Sequence, residues 1–155
     1  MKKLLILLIL LLCPITAHAG RDMATVVKVV DSTTIEITRA IEAKHPANIY
    51  TVRIIGVVVP PEQEAAALEQ NKKLLGKTVF LEYDNTRQDK EKNLLAYIWL
   101  ENYDLDPRDM HNSELILLGC ARFKTAFNNN KYSKNFDKLQ TEAKKIKKGL
   151  WGDKK

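Results

Sequence analysis

The sequence predicts an α+β fold that is mainly β: a five-stranded barrel of the OB type carrying three helices. Two observations lead to this prediction. β-Branched and aromatic residues dominate the chain before residue 60, whereas apolar residues at helical spacing dominate its C-terminal third. The predicted order of three strands, one helix, two strands and two helices suits such a barrel with helical additions. The sequence contains no internal repeat or low-complexity linker, so we expect one domain over residues 20–155.

Three strands are predicted before the first helix. Residues 24–30 are strongly β-forming, and residues 34–38 alternate apolar and polar side chains as a half-buried strand does. Asp31-Ser32 between them is a turn signal, so the two strands should form a hairpin. The third strand is expected over residues 49–57. It has to stop at Pro60-Pro61, because proline donates no hydrogen bond to a sheet.

The first helix is predicted over residues 62–75 and is followed by two more strands. Gly76 is a typical residue for the end of such a helix. The apolar positions that recur at helical spacing are Ala65, Leu68 and Leu75. Residues 78–83 and 94–100 are rich in β-forming residues, so they are expected to be the fourth and fifth strands.

Two further helices are predicted in the last third of the chain. Asn112 and Ser113 are residue types that cap helices, and the helix they open should stop at Gly119. The last helix is expected over roughly residues 133–148. The apolar stripe that should face the barrel consists of Phe136, Leu139, Ala143 and Ile146.

The first nineteen residues have the pattern of a signal peptide. Two lysines precede an apolar run over residues 4–12, and Ala17-His18-Ala19 is the small-x-small motif of a cleavage site. We expect cleavage after Ala19 and release of the domain into the periplasm or the medium. The apolar run is too short for a stable membrane anchor. An uncleaved anchor and lipidation at Cys13 are the alternatives.

The mature domain is expected to be mildly basic and monomeric. Without residues 1–19, 136 of the 155 residues remain, and the formal net charge falls from +6 to +4 because Lys2 and Lys3 leave. Such a charge is compatible with a polyanionic partner, although many solvated surfaces share it. Cys120 then has no cysteine to pair with, so it is expected to be a small buried residue rather than a nucleophile.

The segment from Tyr50 to Glu62 resembles the centre of the thermonuclease (staphylococcal nuclease-like) family. A strand that carries Arg53 leads to the Pro60-Pro61 corner, and Glu62 then opens a helix. In the family this corner reads Asp-Thr-Pro-Glu. Other pieces resemble the family in the same order, and together they are fairly specific: residues 30–34, 89–90, 95–98, 142–143 and 148–151, with Asn112, Gly119 and Ala121 at the spacing of a family helix.

The resemblance also assigns family roles to positions of this chain. Thermonucleases hydrolyse phosphodiesters with one calcium ion, an activated water and two arginines. The first of these arginines matches Arg53. The two calcium aspartates, the general-base glutamate and the second arginine are matched, in that order, by Thr33, Val58, Pro61 and Asn93. Glu62 takes the place of the base if the corner is one residue longer.

These replacements predict a domain of this family without a working nuclease centre. Neither Thr33 nor Val58 offers calcium a carboxylate, so we expect no metal and no other cofactor. We expect instead the binding of single-stranded nucleic acid, a nucleotide or a protein partner. The residues expected to contact phosphates or bases are Arg53, Lys90, Lys92 and Phe127.

Three alternatives stay open at this point. Arg53 on its strand is equally compatible with a structural ion pair to a neighbouring carboxylate. The domain as a whole would be an active calcium-dependent endonuclease if Glu62 served a rearranged site. It would be a purely structural domain if it had no affinity for polyanions.

Overall fold

A closed five-stranded barrel forms the centre of the protein, as the sequence predicts. The computed structural model describes residues 21–39, 48–100 and 106–152, so the predicted signal peptide lies outside the described residues. Around the barrel, neighbouring strands are β1 (Asp22–Asp31), β2 (Thr34–Arg39), β3 (Ile49–Ile54), β6 (Leu94–Trp99) and β5 (Thr78–Glu82). β3 and β6 run parallel and the other neighbours run antiparallel, so the sheet is mixed.

The interior of the barrel is built from alternate residues of these strands, as the period of two predicts. The buried side chains include Val26, Ile35, Ile37, Val52, Ile54, Val79, Leu81 and Ile98. Each such side chain contributes roughly 1.5–3 kcal/mol by leaving water. The register of the predicted β1–β2 hairpin shifts between Val26 and Lys28, and such a bulge bends β1 toward closure of the barrel.

The third strand ends earlier than predicted. β3 stops at Ile54, because Gly56 turns the chain with a φ of +78°, a conformation that favours glycine. A Cβ on Gly56 would lie 2.5 Å from the ring of Phe136. Val57–Val58 then form β4, which pairs with β7 (Arg122–Phe123) in a separate two-stranded ribbon. The segment predicted as one strand is therefore two strands in two sheets.

The first helix also buries a different face from the predicted one. A 3-10 turn at Pro61–Gln63 precedes α1 (Glu64–Lys72). Of the predicted stripe, Ala65 and Leu75 are exposed. The residues buried instead are Ala67, Asn71 and Leu74. Three consecutive alanines leave the apolar face undefined in the sequence, and the tighter first turn shifts the helical phase. Gly76 does end the segment, with a φ of +73°.

The predicted capping role of Asn112 and Ser113 is wrong. α2 (His111–Leu117) begins one residue earlier, with Met110 in the N-cap position. Asn112 is fully buried, and its side chain accepts a hydrogen bond from the Ile98 N–H and donates one to the Ile55 carbonyl. It therefore joins α2 to the end of β3 and to β6, because buried backbone groups need a partner. The predicted stop at Gly119 is confirmed by its φ of +67°.

The last helix, α3 (Ser133–Lys145), packs against α2 and β7, and its Phe136 contacts Tyr97 of β6. The predicted apolar stripe is mostly buried. Phe136, Leu139 and Ala143 are buried. Ile146 is 59% exposed, so its place in the stripe was predicted wrongly. The helix ends at Lys145, and the chain then turns at Lys147, whose φ is +51°. No helix in the described residues is long and apolar enough to cross a bilayer.

A buried carboxylate ties the end of β5 to three other parts of the molecule. Glu82 accepts hydrogen bonds from Arg21 Nε at 2.9 Å, Arg21 Nη2 at 2.7 Å and Trp99 Nε1 at 2.7 Å. The hydroxyl of Tyr132 donates at 3.0 Å, and Lys131 forms a further ion pair. This set of contacts, the Glu82 network, joins β1, β6 and the segment before α3. Every lone pair of the carboxylate is satisfied, which is the condition for tolerating a buried charge.

We expect Leu139→Ala to lower the free energy of unfolding by about 2–5 kcal/mol, because it leaves a cavity between α3 and the barrel. Ile146→Ala is the matched control, since Ile146 is largely exposed and its truncation should cost less than about 0.5 kcal/mol. Urea titrations of both variants measure the two values. Equal costs would contradict the placement of α3.

We expect Glu82→Gln to destabilise the fold by about 3 kcal/mol near neutral pH, because it removes the charge that the donors of the Glu82 network require. Burial alone would raise the pKa of Glu82, but hydrogen bonds from Lys131, Arg21 and Tyr132 outweigh burial and hold the pKa below 4.5. The stabilisation of the fold by ionised Glu82 is therefore present above about pH 4.5 and is lost as pH falls through the pKa of Glu82 in the folded protein. Unfolding curves of both proteins should converge at acid pH; a constant difference from pH 7 to pH 3 would contradict this.

Candidate functional site

A cleft of about 510 Å³ lies beside the barrel, where the β1–β2 turn and β4 face the start of α1 and the segment after β7. Four of the residues singled out in the sequence line it: Thr33, Arg53, Val58 and, at one end, Phe127. The polar residues that share the cleft with them include Asp31, Ser32, Glu64 and Lys124.

Arg53 reaches the cleft from the outer side of β3. Its strand neighbours Val52 and Ile54 are buried in the barrel, so alternation places Arg53 on the opposite face. The guanidinium Nη1 lies 3.3 Å from Asp89 Oδ2, and its Cζ lies 5.7 Å from the ring centroid of Phe127. The Arg53 side chain is 43% exposed. Arg53 thus makes the structural ion pair considered above and still presents donors to the cleft.

The ion pair of Arg53 rests on a carboxylate that is itself held in place. Asp89 is buried, and it accepts hydrogen bonds from the Asn93 backbone N–H at 2.9 Å and from Asn93 Nδ2 at 3.0 Å. Burial alone would raise the pKa of Asp89, but the bonds from Asn93 and Arg53 hold that pKa below its usual value. Asn93 therefore orients the partner of Arg53 and is not among the residues that line the cleft.

Asp31 serves the turn in which it lies. Its Oδ1 accepts from the Thr33 backbone N–H at 2.7 Å and from Thr33 Oγ1 at 3.1 Å, the arrangement expected of an aspartate in a tight turn. The Asp31 carbonyl accepts from Asn71 Nδ2 at 3.1 Å, and Asn71 Oδ1 lies 2.8 Å from His111 Nε2. The turn that borders the cleft is therefore anchored to α1 and, through His111, to α2.

The Pro-Pro corner does not bring the expected acid into the cleft. Pro61 and Glu62 lie exposed on the 3-10 turn and are not among the residues that line the cleft. Glu64, in the first turn of α1, does line it. Sequence reasoning missed Glu64, although a glutamate in the first turn of a predicted helix was a visible signal. The three valines before the corner, Val57, Val58 and Val59, line the cleft beside it.

Phe127 is held on the rim by a turn in an unusual backbone conformation. Phe127 and Asn128 have φ values of +58° and +60°, which only a well-supported turn maintains in residues other than glycine. The support comes from Asn129, which is buried and exchanges hydrogen bonds of 2.8 and 2.9 Å with the Thr86 backbone. Phe127 is 42% exposed, and its ring lies beside Arg53.

Two lysines that were predicted to contact phosphates lie outside the cleft, and one that was not predicted lines it. Lys90 and Lys92 are exposed on the turn between Asp89 and Asn93, but neither lines the cleft. Lys124 does line it, because its backbone N–H bonds to the Gly56 carbonyl at 3.2 Å and so fixes the chain after β7 there. Lys124 was missed because nothing in the sequence shows that β7 pairs with β4.

Cys120 is buried after the end of α2, as expected, in a cluster with Ala67, Leu115 and Ala121, and it is not among the residues that line the cleft. Burial raises the pKa of its thiol, and the charge of Glu114 raises it further. A thiol in this state is a small apolar residue rather than a nucleophile.

The side chains in the cleft do not fit a calcium ion. Calcium takes six to eight oxygen ligands, mostly carboxylates. Val58 supplies no side-chain oxygen, and Asp31 Oδ1 already accepts two hydrogen bonds from Thr33. Asp31 and Glu64 are the acids among the residues that line the cleft, too few carboxylates for such a ligand set. Within the described residues, no three histidine, cysteine or acidic side chains are grouped so that they could hold a metal.

What the cleft offers instead is one exposed guanidinium beside an aromatic face and an apolar wall. Arg53 can donate to an anion with the donors that Asp89 leaves free, since a guanidinium carries five N–H groups. Phe127 offers a face on which a planar ring can stack. The valines allow the apolar part of a ligand to leave water.

Two comparisons with known proteins bear on this site. The sequence model of the family described as "Staphylococcal nuclease homologue" matches residues 35–153. The chain is also similar to the thermonuclease of Staphylococcus hyicus, with 28% identity over 147 residues that cover 88% of this chain and 80% of that protein. The matched range includes Arg53, the Pro-Pro corner and the helices α1, α2 and α3. It also includes the barrel strands other than β1 and the first residue of β2. The chain belongs to the staphylococcal nuclease homologue family.

Proposed function

We propose that this protein binds single-stranded nucleic acid or nucleotides in the cleft and does not cleave them. We also propose that it acts outside the cytoplasm after removal of residues 1–19, as the sequence pattern suggests. The observation that supports binding most directly is the pairing of Arg53 with Phe127 on the cleft rim. A phosphate contact next to a stacking platform is the arrangement by which OB barrels hold single strands.

The second half of the proposal, binding without cleavage, is supported by the side chains around Arg53. Hydrolysis of a phosphodiester needs an activated water and stabilisation of the charge that develops on the phosphate. The corner presents Val57, Val58 and Val59 where a metal-binding acid would have to lie, and Asn93 is committed to Asp89. Arg53 alone can bind the phosphate, but binding the ground state and the transition state equally does not accelerate a reaction.

One observation favours the alternative of an active nuclease with a rearranged site. Asp31 and Glu64 both line the cleft, so two carboxylates are present in it. Glu64 is the acid on which such a mechanism would depend, rather than Glu62. The alternative is weaker because Asp31 already accepts two hydrogen bonds within its turn. A protein ligand in the same cleft is the third candidate, and the binding measurement below separates it from nucleic acid.

We expect short single-stranded DNA to bind weakly and to bind less as salt rises, because phosphate contacts release counterions. Arg53→Ala should weaken this binding, with a decrease in the slope of log K against log salt of about 0.7, the value for one contact on a single strand. The affinity of Arg53→Lys should lie between those of the unaltered protein and Arg53→Ala, since lysine keeps the charge and loses the planar donors.

Fluorescence anisotropy of labelled oligothymidine measures these affinities. Because Asp89 loses a partner in both variants, their unfolding curves should be compared with that of the parent protein. Binding that is independent of salt and of Arg53, or no binding at low salt, would contradict the nucleic-acid proposal and favour a protein ligand.

We expect no calcium-dependent digestion of heat-denatured DNA above the level of a control with chelator. Thr33→Asp with Val58→Asp adds two carboxylates to those of Asp31 and Glu64 in the cleft, and this variant should gain a calcium affinity measurable by calorimetry. Digestion by the unaltered protein that requires calcium and disappears in Glu64→Gln would replace this proposal with the nuclease alternative.

A further inference from the structure

A second group of cations surrounds a tryptophan close to the cleft. Trp151 lies in the 3-10 turn Gly149–Trp151 after α3 and is partly exposed. Lys144 Nζ lies 4.7 Å from the ring centroid of Trp151, and Arg122 Cζ lies 5.6 Å from it. Among the described residues, no carboxylate lies within 4.0 Å of either cation. Both charges are therefore available to an anion.

The ribbon of β4 and β7 joins this group to the cleft. Arg122 of β7 is the register partner of Val58 of β4, and Val58 lines the cleft. Opposite residues of an antiparallel pair lie about 5 Å apart and project from the same face. Lys124 follows Arg122 by two residues and lines the cleft itself.

A second contact brings the tryptophan to the same corner. The 3-10 turn that contains Trp151 packs against the 3-10 turn Pro61–Gln63, which follows the valines of the cleft. The cations Arg53, Lys124, Arg122 and Lys144 thus form one continuous path, which we call the basic track. Phe127 is the aromatic residue at one end of the track and Trp151 the one at the other.

The charges of the cleft indicate what the track is for. Two cations, Arg53 and Lys124, line the cleft together with two acids, Asp31 and Glu64, so the cleft alone has no net charge. A single phosphate gains little from a neutral site beyond its direct hydrogen bonds. A chain of phosphates that continues over Arg122 and Lys144 meets two further cations, and its affinity then includes the release of counterions from them.

We propose that the ligand of this protein is a polynucleotide single strand that runs along the basic track from Phe127 to Trp151. This inference rests on the proposed function and adds a second subsite to it. Arg122 and Lys144 contact successive phosphates there, and a base stacks on the exposed part of Trp151. A mononucleotide occupies the cleft only and binds more weakly than an oligomer. A row of cations with an aromatic ring at each end favours a flexible single strand, whose regularly spaced phosphates and bases match it, over an acidic protein.

The test compares thymidine monophosphate with oligothymidines of two, four and eight residues, at several salt concentrations. The double variant Arg122→Gln with Lys144→Gln should weaken binding of the octamer roughly tenfold at low salt. It should also reduce the slope of log K against log salt by about 1.4, the value for two phosphate contacts on a single strand. The monophosphate should bind this double variant and the unaltered protein equally. Lys134→Gln with Lys138→Gln is the matched control, because it removes two cations from α3 at positions about 80–120° around the helix from Lys144.

Tryptophan fluorescence gives an independent measurement. Trp99 is buried beside Glu82, so quenching by the octamer should come from Trp151 and disappear in Trp151→Phe. The monophosphate should quench little.

The two proposals fail in different ways. If no oligomer binds the unaltered protein at low salt, both are overturned. If the octamer binds, depends on Arg53 and is unaffected by loss of Arg122 and Lys144, the basic track is overturned and the cleft proposal stands. An equal loss of octamer affinity in the two double variants would show attraction by charge alone and would overturn the basic track. Competition by polyglutamate that is as effective as competition by oligothymidine would overturn it for the same reason.

Discussion

The Glu82 network is the interaction on which the assembly of the molecule depends. One buried carboxylate receives donors from the start of β1, from β6 and from the segment that leads into α3. Taking such a charge out of water is costly, and it is tolerated only because Arg21, Trp99, Lys131 and Tyr132 converge on it. The barrel and the segment that leads into α3 are therefore held in one relative position.

A buried carboxylate with satisfied hydrogen bonds also fixes the position of a side chain at the cleft. Asp89 is buried and satisfied by Asn93, so it holds Arg53 at a fixed place while leaving part of the guanidinium exposed. Asn129 fixes the turn that presents Phe127. These supports hold both side chains in place, so a ligand of the kind proposed would not have to order them. The valine corner beside them is apolar, and its side chains offer no oxygen to a metal.

The fold could be predicted from the sequence because its strands and its last helix have strong local patterns. Alternation in residues 34–38 and the stripe through Phe136 and Leu139 each require one buried face, whatever lies opposite. The predictions that rested on weaker patterns were wrong for physical reasons. The three alanines of α1 define no face, and Asn112 resembles a cap although its amide bridges two buried backbone groups that are distant in sequence. Ile146 follows the helical spacing but lies beyond the end of the helix.

For the site, the sequence by itself determined which chemical groups are present and which are replaced. A strand with Arg53 before a Pro-Pro corner was evident from residue identity alone, and the family resemblance matched Val58 to an aspartate. Only the tertiary structure decided which groups meet. Arg53 meets Asp89, Glu64 rather than Glu62 enters the cleft, and Arg122 is brought beside Val58. The physical reason is that these contacts depend on the closing of the barrel and on the pairing of β4 with β7, which join residues far apart in sequence and leave no periodic signal.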